Sequence, residues 1–240
     1  MRSQRMTMLG ASGRARAGQP PLDVPGADEL ADLDRAFQAA TANEVIGWAV
    51  ERFHPHLCLT ASMTDAVLVD LAVAVEPSIE VVFIDTGYHF AETLETLEAV
   101  RRRYGLNLRV MTVPPQPIEL WKTDPDSCCS GAKVAQLERA LAGKLAWMSG
   151  LRRADTPGRS EAPIVGRDGR GLVKVNPIAT WSDADIAAYI ADHDVPVNPL
   201  LAQGYPSVGC WPCTRPVPPG ADPRSGRWSG LDKTECGLHI

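Results

Sequence analysis

The sequence predicts an α/β fold in which a mostly parallel sheet is flanked by helices and followed by an irregular segment rich in proline and glycine. Three observations lead there. Short apolar, β-branched runs alternate with longer stretches of helical period, the pattern that right-handed crossovers and a parallel sheet produce. Of the 240 residues, 45% are hydrophobic, enough to bury one sizeable core. From Val195 the alternation stops, and residues 195–228 carry Pro196, Pro199, Pro206, Pro212, Pro216, Pro218, Pro219 and Pro223, too many for a packed helix or sheet.

Residues 1–22 hold Arg2, Arg5, Arg14 and Arg16 with no acid before Asp23, and read as a disordered tail. Residues 23–194 then form the α/β domain and 195–240 the irregular C-terminal segment. A helix is expected from Asp28, with Leu30, Leu33 and Phe37 on one face, and a second through Val45, Ile46, Trp48, Ala49 and Phe53. His56 to Thr60 is a short buried strand, followed by the polar loop Ala61 to Asp65 and the apolar helix Ala66 to Val75. Strand, polar loop and helix N-terminus together make an anion site, because free backbone N–H groups converge there.

Ile79 to Ile84 is the second strand and ends in Asp85-Thr-Gly-Tyr88; a helix from Phe90 to Arg103 leads to the strand Asn107 to Val113. Ligands of parallel sheets bind at the carboxyl ends of the strands. That edge carries Thr60, Ser62 and Asp65 after the first strand, and Asp85, Thr86 and Gly87 after the second. Beyond Pro114, Pro115 and Pro117 come Trp121 and the Cys128-Cys129 pair, which opens a helix over Ala132 to Leu141. The strand Ala146 to Ser149 delivers Arg152 and Arg153 to the same edge. Leu172 to Val175 is a further strand, and Ser182 caps a helix over Asp183 to Asp192, whose early acids suit its dipole.

The net charge of −5 argues against a general nucleic-acid binder, and no run approaches the ~20 apolar residues of a membrane span. The first twenty residues lack the apolar core of a secretory signal, so a cytoplasmic protein is expected, and six cysteines there mean metal binding or thiol chemistry more often than disulfides.

Adjacent thiols such as Cys128-Cys129 are inert core residues, a vicinal disulfide, or half of a metal site. The downstream Cys210-Trp-Pro-Cys213 favours the last, because two pairs complete a soft ligand set of the kind that takes zinc or an iron–sulfur cluster. Directly adjacent ligands suit the several irons of a cluster. Cys236 stands apart near the C-terminus, with Arg224, Arg227 and Lys233 before it; cations raise the fraction of attacking thiolate. Arg224 and Arg227 flank Ser225-Gly226, a turn able to aim two guanidinium forks at one anion, and Lys133 would neutralise charge beside a cluster or an anion. Cys58, among apolar neighbours in its strand, reads as core.

These motifs resemble those of the bacterial assimilatory adenylylsulfate reductases, the iron–sulfur branch of the phosphosulfate reductase family. The resemblance runs from about Val45 to the C-terminus. Phe83-Ile-Asp-Thr-Gly-Tyr-His-Phe90, Cys128-Cys129 with Lys133-Val134, Ser149-Gly-Leu-Arg-Arg153, Gly209-Cys-Trp-Pro-Cys213, Asp222-Pro-Arg-Ser-Gly-Arg-Trp228 and Glu235-Cys-Gly-Leu-His239 carry it. It implies an adenine-nucleotide α-hydrolase-like fold that binds adenosine 5′-phosphosulfate at the strand ends. It also implies a 4Fe-4S cluster on Cys128, Cys129, Cys210 and Cys213.

The implied reaction serves sulfate assimilation toward cysteine. Cys236 attacks the sulfur of the phosphosulfate with AMP as leaving group, and thioredoxin or a similar dithiol then releases sulfite. Lys133, Arg152, Arg153, Arg224 and Arg227 would offset the repulsion between the two anions, and His239 would orient the tail or the nucleotide. Two departures stand out: Thr60-Ala-Ser-Met-Thr-Asp65 lacks the glycines of ATP pyrophosphatase loops, which fits a site that need not cradle a triphosphate, and Ala132 occupies a position where the family commonly has arginine. The rival readings are a 3′-phosphoadenylylsulfate reductase and a zinc-stabilised nucleotide-binding module without catalysis. A homo-oligomer is compatible with either.

Overall fold

The computed structural model describes residues 24–117, 119–228 and 233. The expected tail over residues 1–22 lies outside them, as do Cys236 and His239. The chain opens with α1 (Ala27–Phe37) and α2 (Ala42–Phe53). Thr41 starts α2 through a reciprocal capping box: its hydroxyl accepts from the Glu44 N–H, and the Glu44 carboxylate accepts from the Thr41 N–H at 2.7 Å.

Then follow β1 (Leu57–Thr60), α3 (Val67–Val75), β2 (Glu80–Asp85), α4 (Ala91–Tyr104) and β3 (Asn107–Thr112). The left-handed Gly105 (φ +60°) ends α4, a conformation that costs glycine least. Past the short α5 (Leu120–Thr123) and a π-helical turn over Ser127–Ala132, α6 (Lys133–Leu141) leads to β4 (Ala146–Ser149), β5 (Val165–Arg167), β6 (Val173–Val175) and α7 (Asp183–His193).

The six strands lie in the order β3-β2-β1-β4-β6-β5, all parallel except β5, which runs antiparallel to β6 at the edge. Alternation along each strand divides the core between the two faces. Leu57, Leu59, Val81, Phe83, Ala146 and Met148 pack with α1, α2, α3 and α7. Cys58, Val82, Ile84 and Trp147 pack with Leu137, Ala140 and Leu141 of α6. Cys58 is fully buried there, as the sequence predicts for a core residue.

From β1 the chain runs outward through β2 and β3 and then returns to lay β4 on the other side of β1. The connections leaving β1 and β4 therefore diverge, and a crevice opens between them at the carboxyl edge.

Two local features differ from the sequence expectation. The edge strand β5 was not expected, because Val165-Gly-Arg167 is too short to show a period and forms only where Val165 pairs with Val175. The cysteine pair lies within a π-helical turn before α6 rather than at the helix start. The proline-rich segment, irregular as expected, is pinned in place. Asn198, fully buried, donates from Nδ2 to the Met63 carbonyl (3.1 Å) and to Thr93 Oγ1 (3.0 Å), and its backbone N–H donates to the Thr64 carbonyl.

Candidate active site

The crevice between β1 and β4 is a cleft of about 820 Å³. Its floor and walls come from the strand ends. Thr60 closes β1, with its hydroxyl 3.5 Å from the Met148 carbonyl. Ser62, Thr64 and Asp65 follow on a loop that Met63 turns with a left-handed φ of +60°, a conformation unusual for a non-glycine residue and held by the Asn198 side chain. Asp65 Oδ1 accepts from the N–H of Val67, the first residue of α3, at 3.1 Å. Burial pushes its carboxyl above the usual carboxylate range and Asp155 adds to the push, while the Val67 N–H and Arg152 oppose it.

At the end of β4, Ser149 is buried and donates to Asn176 Oδ1 at 2.6 Å. Arg152 and Arg153 line the cleft as predicted, but both guanidinium groups already have protein partners. Arg152 pairs with Asp155 (2.9 Å) and Asp183 (2.8 Å). Arg153 donates to the Ala162 carbonyl (2.8 Å) and to Gln38 Oε1 (2.9 Å).

The turn after β2 departs further from expectation. Asp85, Thr86 and Gly87 do not line the cleft. Asp85 Oδ1 accepts from the Gly87 N–H (2.9 Å) and folds the turn on itself, with Gly87 at φ +71°. Thr86 faces a second, smaller cavity and stands 3.3 Å from Cys210 Sγ. The residue this turn sends into the cleft is His89, whose Nε2–H donates to the Ile84 carbonyl at 3.0 Å. Burial holds the His89 imidazole below its ordinary pKa.

The smaller cavity brings together Cys128, Cys129, Cys210 and Cys213. In a π-helical turn more residues share each turn, so consecutive side chains diverge by a smaller angle, and the adjacent Cys128 and Cys129 both reach the cavity. The other pair is docked by backbone: Cys210 bridges His89, and the Trp211 N–H donates to the Tyr88 carbonyl at 2.8 Å. Thr214 Oγ1 and the Cys213 N–H both donate to the Cys210 carbonyl.

Burial, and then the charge of neighbouring cysteines, pushes Cys128 and Cys213 up to about 11. Four thiols lining one cavity are a soft donor set of the kind that takes a metal centre, which would relieve the ionisation penalty on Cys128 and Cys213, so the residues present fit one. Among the described residues, no three histidine, cysteine, aspartate or glutamate side chains gather at the spacing of a single metal ion.

The two cavities share a wall made of Lys133, Cys210, Arg227 and Trp228. Lys133 is the first residue of α6, directly after the cysteine-bearing turn. Arg227 lies over the Trp228 ring at 4.6 Å and donates to Ser207 Oγ and the Val208 carbonyl, while Arg224 approaches the same ring at 5.8 Å. Gly209 makes room for this arrangement, because a Cβ there would stand 2.3 Å from Arg227 Nη2. The structure thus unites Thr60, Ser62, Asp65, Lys133, Arg152, Arg153, Arg224 and Arg227 around one cleft. Sequence reasoning missed His89, Ser149, Asp155, Arg159 and Trp228 there. His89, Ser149 and Trp228 lie inside quoted motifs, whereas Asp155 and Arg159 carry no local signal.

Residues 56–216 match the phosphoadenosine phosphosulfate reductase domain family. Among curated relatives, the adenosine 5′-phosphosulfate reductase of Mycolicibacterium smegmatis is 46% identical over 225 residues, covering 90% of this chain and 92% of that protein. The enzyme of that name from Streptomyces coelicolor is 48% identical over 215 residues, covering 85% and 91%. Among solved structures, phosphoadenylyl-sulfate reductase from Candida auris, in its phosphate complex, superposes with a TM-score of 0.70 at 27% identity over 80% of this chain and 98% of that one. Candida glabrata FMN adenylyltransferase shares the fold at a TM-score of 0.58 and 16% identity, over 90% of this chain and 79% of that one.

Proposed function

The chain belongs to the phosphoadenosine phosphosulfate reductase family, and from that membership we propose that it reduces adenosine 5′-phosphosulfate to sulfite and AMP. The observation that carries this reading is the shared wall. A nucleotide-sized cleft at the switch point of the sheet meets a four-thiol cavity at Lys133, Cys210, Arg227 and Trp228. Relatives 44–48% identical carry the name of the unphosphorylated substrate, which favours it over the 3′-phosphorylated one.

Cys236 is the proposed nucleophile. Its thiolate attacks the sulfur of the phosphosulfate; the bond from sulfur to the bridging oxygen breaks, and AMP leaves with the electron pair. The product is an S-sulfocysteine. A dithiol reductant of the thioredoxin type then attacks Cys236 Sγ and expels sulfite, and its second thiol resolves the mixed disulfide. Both electrons come from the dithiol, a chemistry suited to a reducing cytoplasm.

The first step brings one anion onto another. Lys133 and Arg227 stand where the cleft meets the cysteines, and Arg224 lines the cleft beside the same Trp228 ring; together they supply fixed positive charge to that encounter, with less to reorganise than water would have. Arg152 and Arg153 line the same cleft but are committed to protein partners.

Cys128, Cys129, Cys210 and Cys213 would hold a 4Fe-4S cluster, which when bound supplies a local electrostatic field and a clasp on the C-terminal segment. An all-thiol set with the directly adjacent Cys128 and Cys129 suits the several irons of a cluster better than a single tetrahedral zinc.

The test is to mix the protein with adenosine 5′-phosphosulfate and no reductant. One equivalent of AMP and a sulfonate adduct on Cys236 are expected, together with a brown protein absorbing near ~400 nm. Sulfite production by a Cys236→Ser variant would remove the nucleophile, and a colourless active protein would remove the cluster.

A further inference from the structure

His89 has a ring nitrogen that the reaction above does not use. Its Nε2–H donates to the Ile84 carbonyl at 3.0 Å, which leaves Nδ1 as the lone pair of the neutral ring. That Nδ1 is buried and meets no hydrogen-bond donor among the described residues. A buried acceptor without a partner costs free energy, and the cost is recovered when a donor arrives. The ring lies against Phe83, centroid to centroid 4.8 Å, and both residues line the large cleft.

The chemistry of the proposed ligand narrows what that donor can be. Phosphate and sulfate oxygens of an ionised phosphosulfate are acceptors and cannot satisfy a lone pair. The donors of the molecule are the exocyclic amine of adenine and the two ribose hydroxyls. Lys133 lies within electrostatic reach of the His89 ring yet makes no hydrogen bond to Nδ1. It also marks the end of the cleft nearest the cysteines, where the phosphosulfate belongs. The part of the nucleotide next to the phosphosulfate is the ribose, with the base one step further away.

Resting on the reading of the cleft as an adenosine 5′-phosphosulfate site, we propose that His89 is a substrate-positioning residue whose Nδ1 accepts a hydrogen bond from a ribose hydroxyl. The turn that carries it also holds Cys210 through the His89 backbone bridge. The sugar and the cysteine cavity are thereby registered against each other by one residue. If the hydroxyl is the 3′ one, His89 also selects against a 3′-phosphorylated nucleotide, because a phosphate there has no proton to offer.

The test uses the full chain as purified and measures the affinity of AMP, 2′-deoxy-AMP, 3′-deoxy-AMP and purine riboside 5′-monophosphate, for the parent and for His89→Leu. The parent is expected to bind one deoxy analogue roughly three- to tenfold more weakly than AMP, the worth of one hydrogen bond. His89→Leu should weaken AMP by the same factor and be indifferent to that deletion; its unchanged affinity for the deoxy analogue then reports an intact fold. Where the leucine variant does not fold, His89→Gln keeps an acceptor and should keep the discrimination.

Coupling to the amine-deleted nucleotide instead would overturn the ribose assignment. An equal loss for all four nucleotides would point to Lys133 as the donor and likewise overturn it, as would parent-like discrimination by His89→Leu or its loss in the glutamine variant. A parent that binds no AMP would fail the underlying reading rather than this one.

Discussion

Thr86 Oγ1 stands 3.3 Å from Cys210 Sγ, joining the turn after β2 to the first cysteine of the C-terminal pair across 124 residues of sequence. Hydrogen bonds to ligating sulfurs stabilise and tune iron–sulfur centres. Thr86→Val preserves shape and removes the hydroxyl. Iron content after reconstitution should stay near that of the parent, while loss of the ~400 nm absorption under chelator quickens roughly two- to fivefold; Thr86→Ser should restore the parent rate.

Lys133 lines both cavities, which puts its charge between the cleft and the cysteines, where the proposed reaction would use it. Lys133→Ala is expected to lower turnover by about 10²-fold, the worth of one positioned charge or donor at a developing anion. Iron per chain should not change. Full activity in this variant would show that the arginines suffice.

Gly209 and Arg227 form one unit, because a Cβ at position 209 would sit 2.3 Å from the guanidinium. Gly209→Ala should therefore mimic Arg227→Ala in its loss of turnover. The double variant should be no slower than the worse single one, since residues acting through the same group are not additive. Multiplicative losses in steady-state kinetics would separate the two roles.

Asp65 should make stability depend on pH. Its folded carboxyl is raised above the ordinary value of 3.8, chiefly by burial, so the folded state binds the proton more tightly than the unfolded chain. The stability contributed by the protonated form is present in full below about pH 4 and is lost as pH rises through the folded value. Asp65→Asn keeps the oxygen that accepts from the Val67 N–H and cannot ionise. Its melting temperature should match the parent's near pH 3.5 and exceed it increasingly toward neutrality, each kcal/mol corresponding to about 2–4 °C for a chain of this size. A gap that did not change with pH would exclude the mechanism.

The strands and most helices were legible because burial imposes a period on the residues that undergo it. β1, β2 and β4 announce themselves as apolar runs, and Ser182 marks the start of α7 as predicted, with its hydroxyl accepting from the Asp185 N–H. The two cysteine pairs could be grouped by their spacing and thiol chemistry, and the structure lines one cavity with all four. What the sequence concealed were features created by long-range contact. The edge strand β5 exists through its pairing with β6, and Arg153 finds Gln38 115 residues away. The polar triplet Asp85-Thr86-Gly87 illustrates a more instructive miss. Its position at a strand end suggested substrate contact, but the Asp85 carboxylate is consumed by its own turn, and that turn directs Thr86 to the cysteines and His89 to the cleft.

The Asn198 clamp bears on how the protein comes into being during synthesis. Met63 and Thr64 leave the ribosome early, yet the side chain that holds the Met63 carbonyl lies 135 residues further on, and the second half of the thiol set follows later still. Through most of translation the lip of the cleft has nothing to close it and the first two cysteines have no counterparts. A cluster held by all four thiols, as proposed above, could load only on the nearly finished protein, and a chain cut short before residue 198 lacks both the clamp and the second cysteine pair.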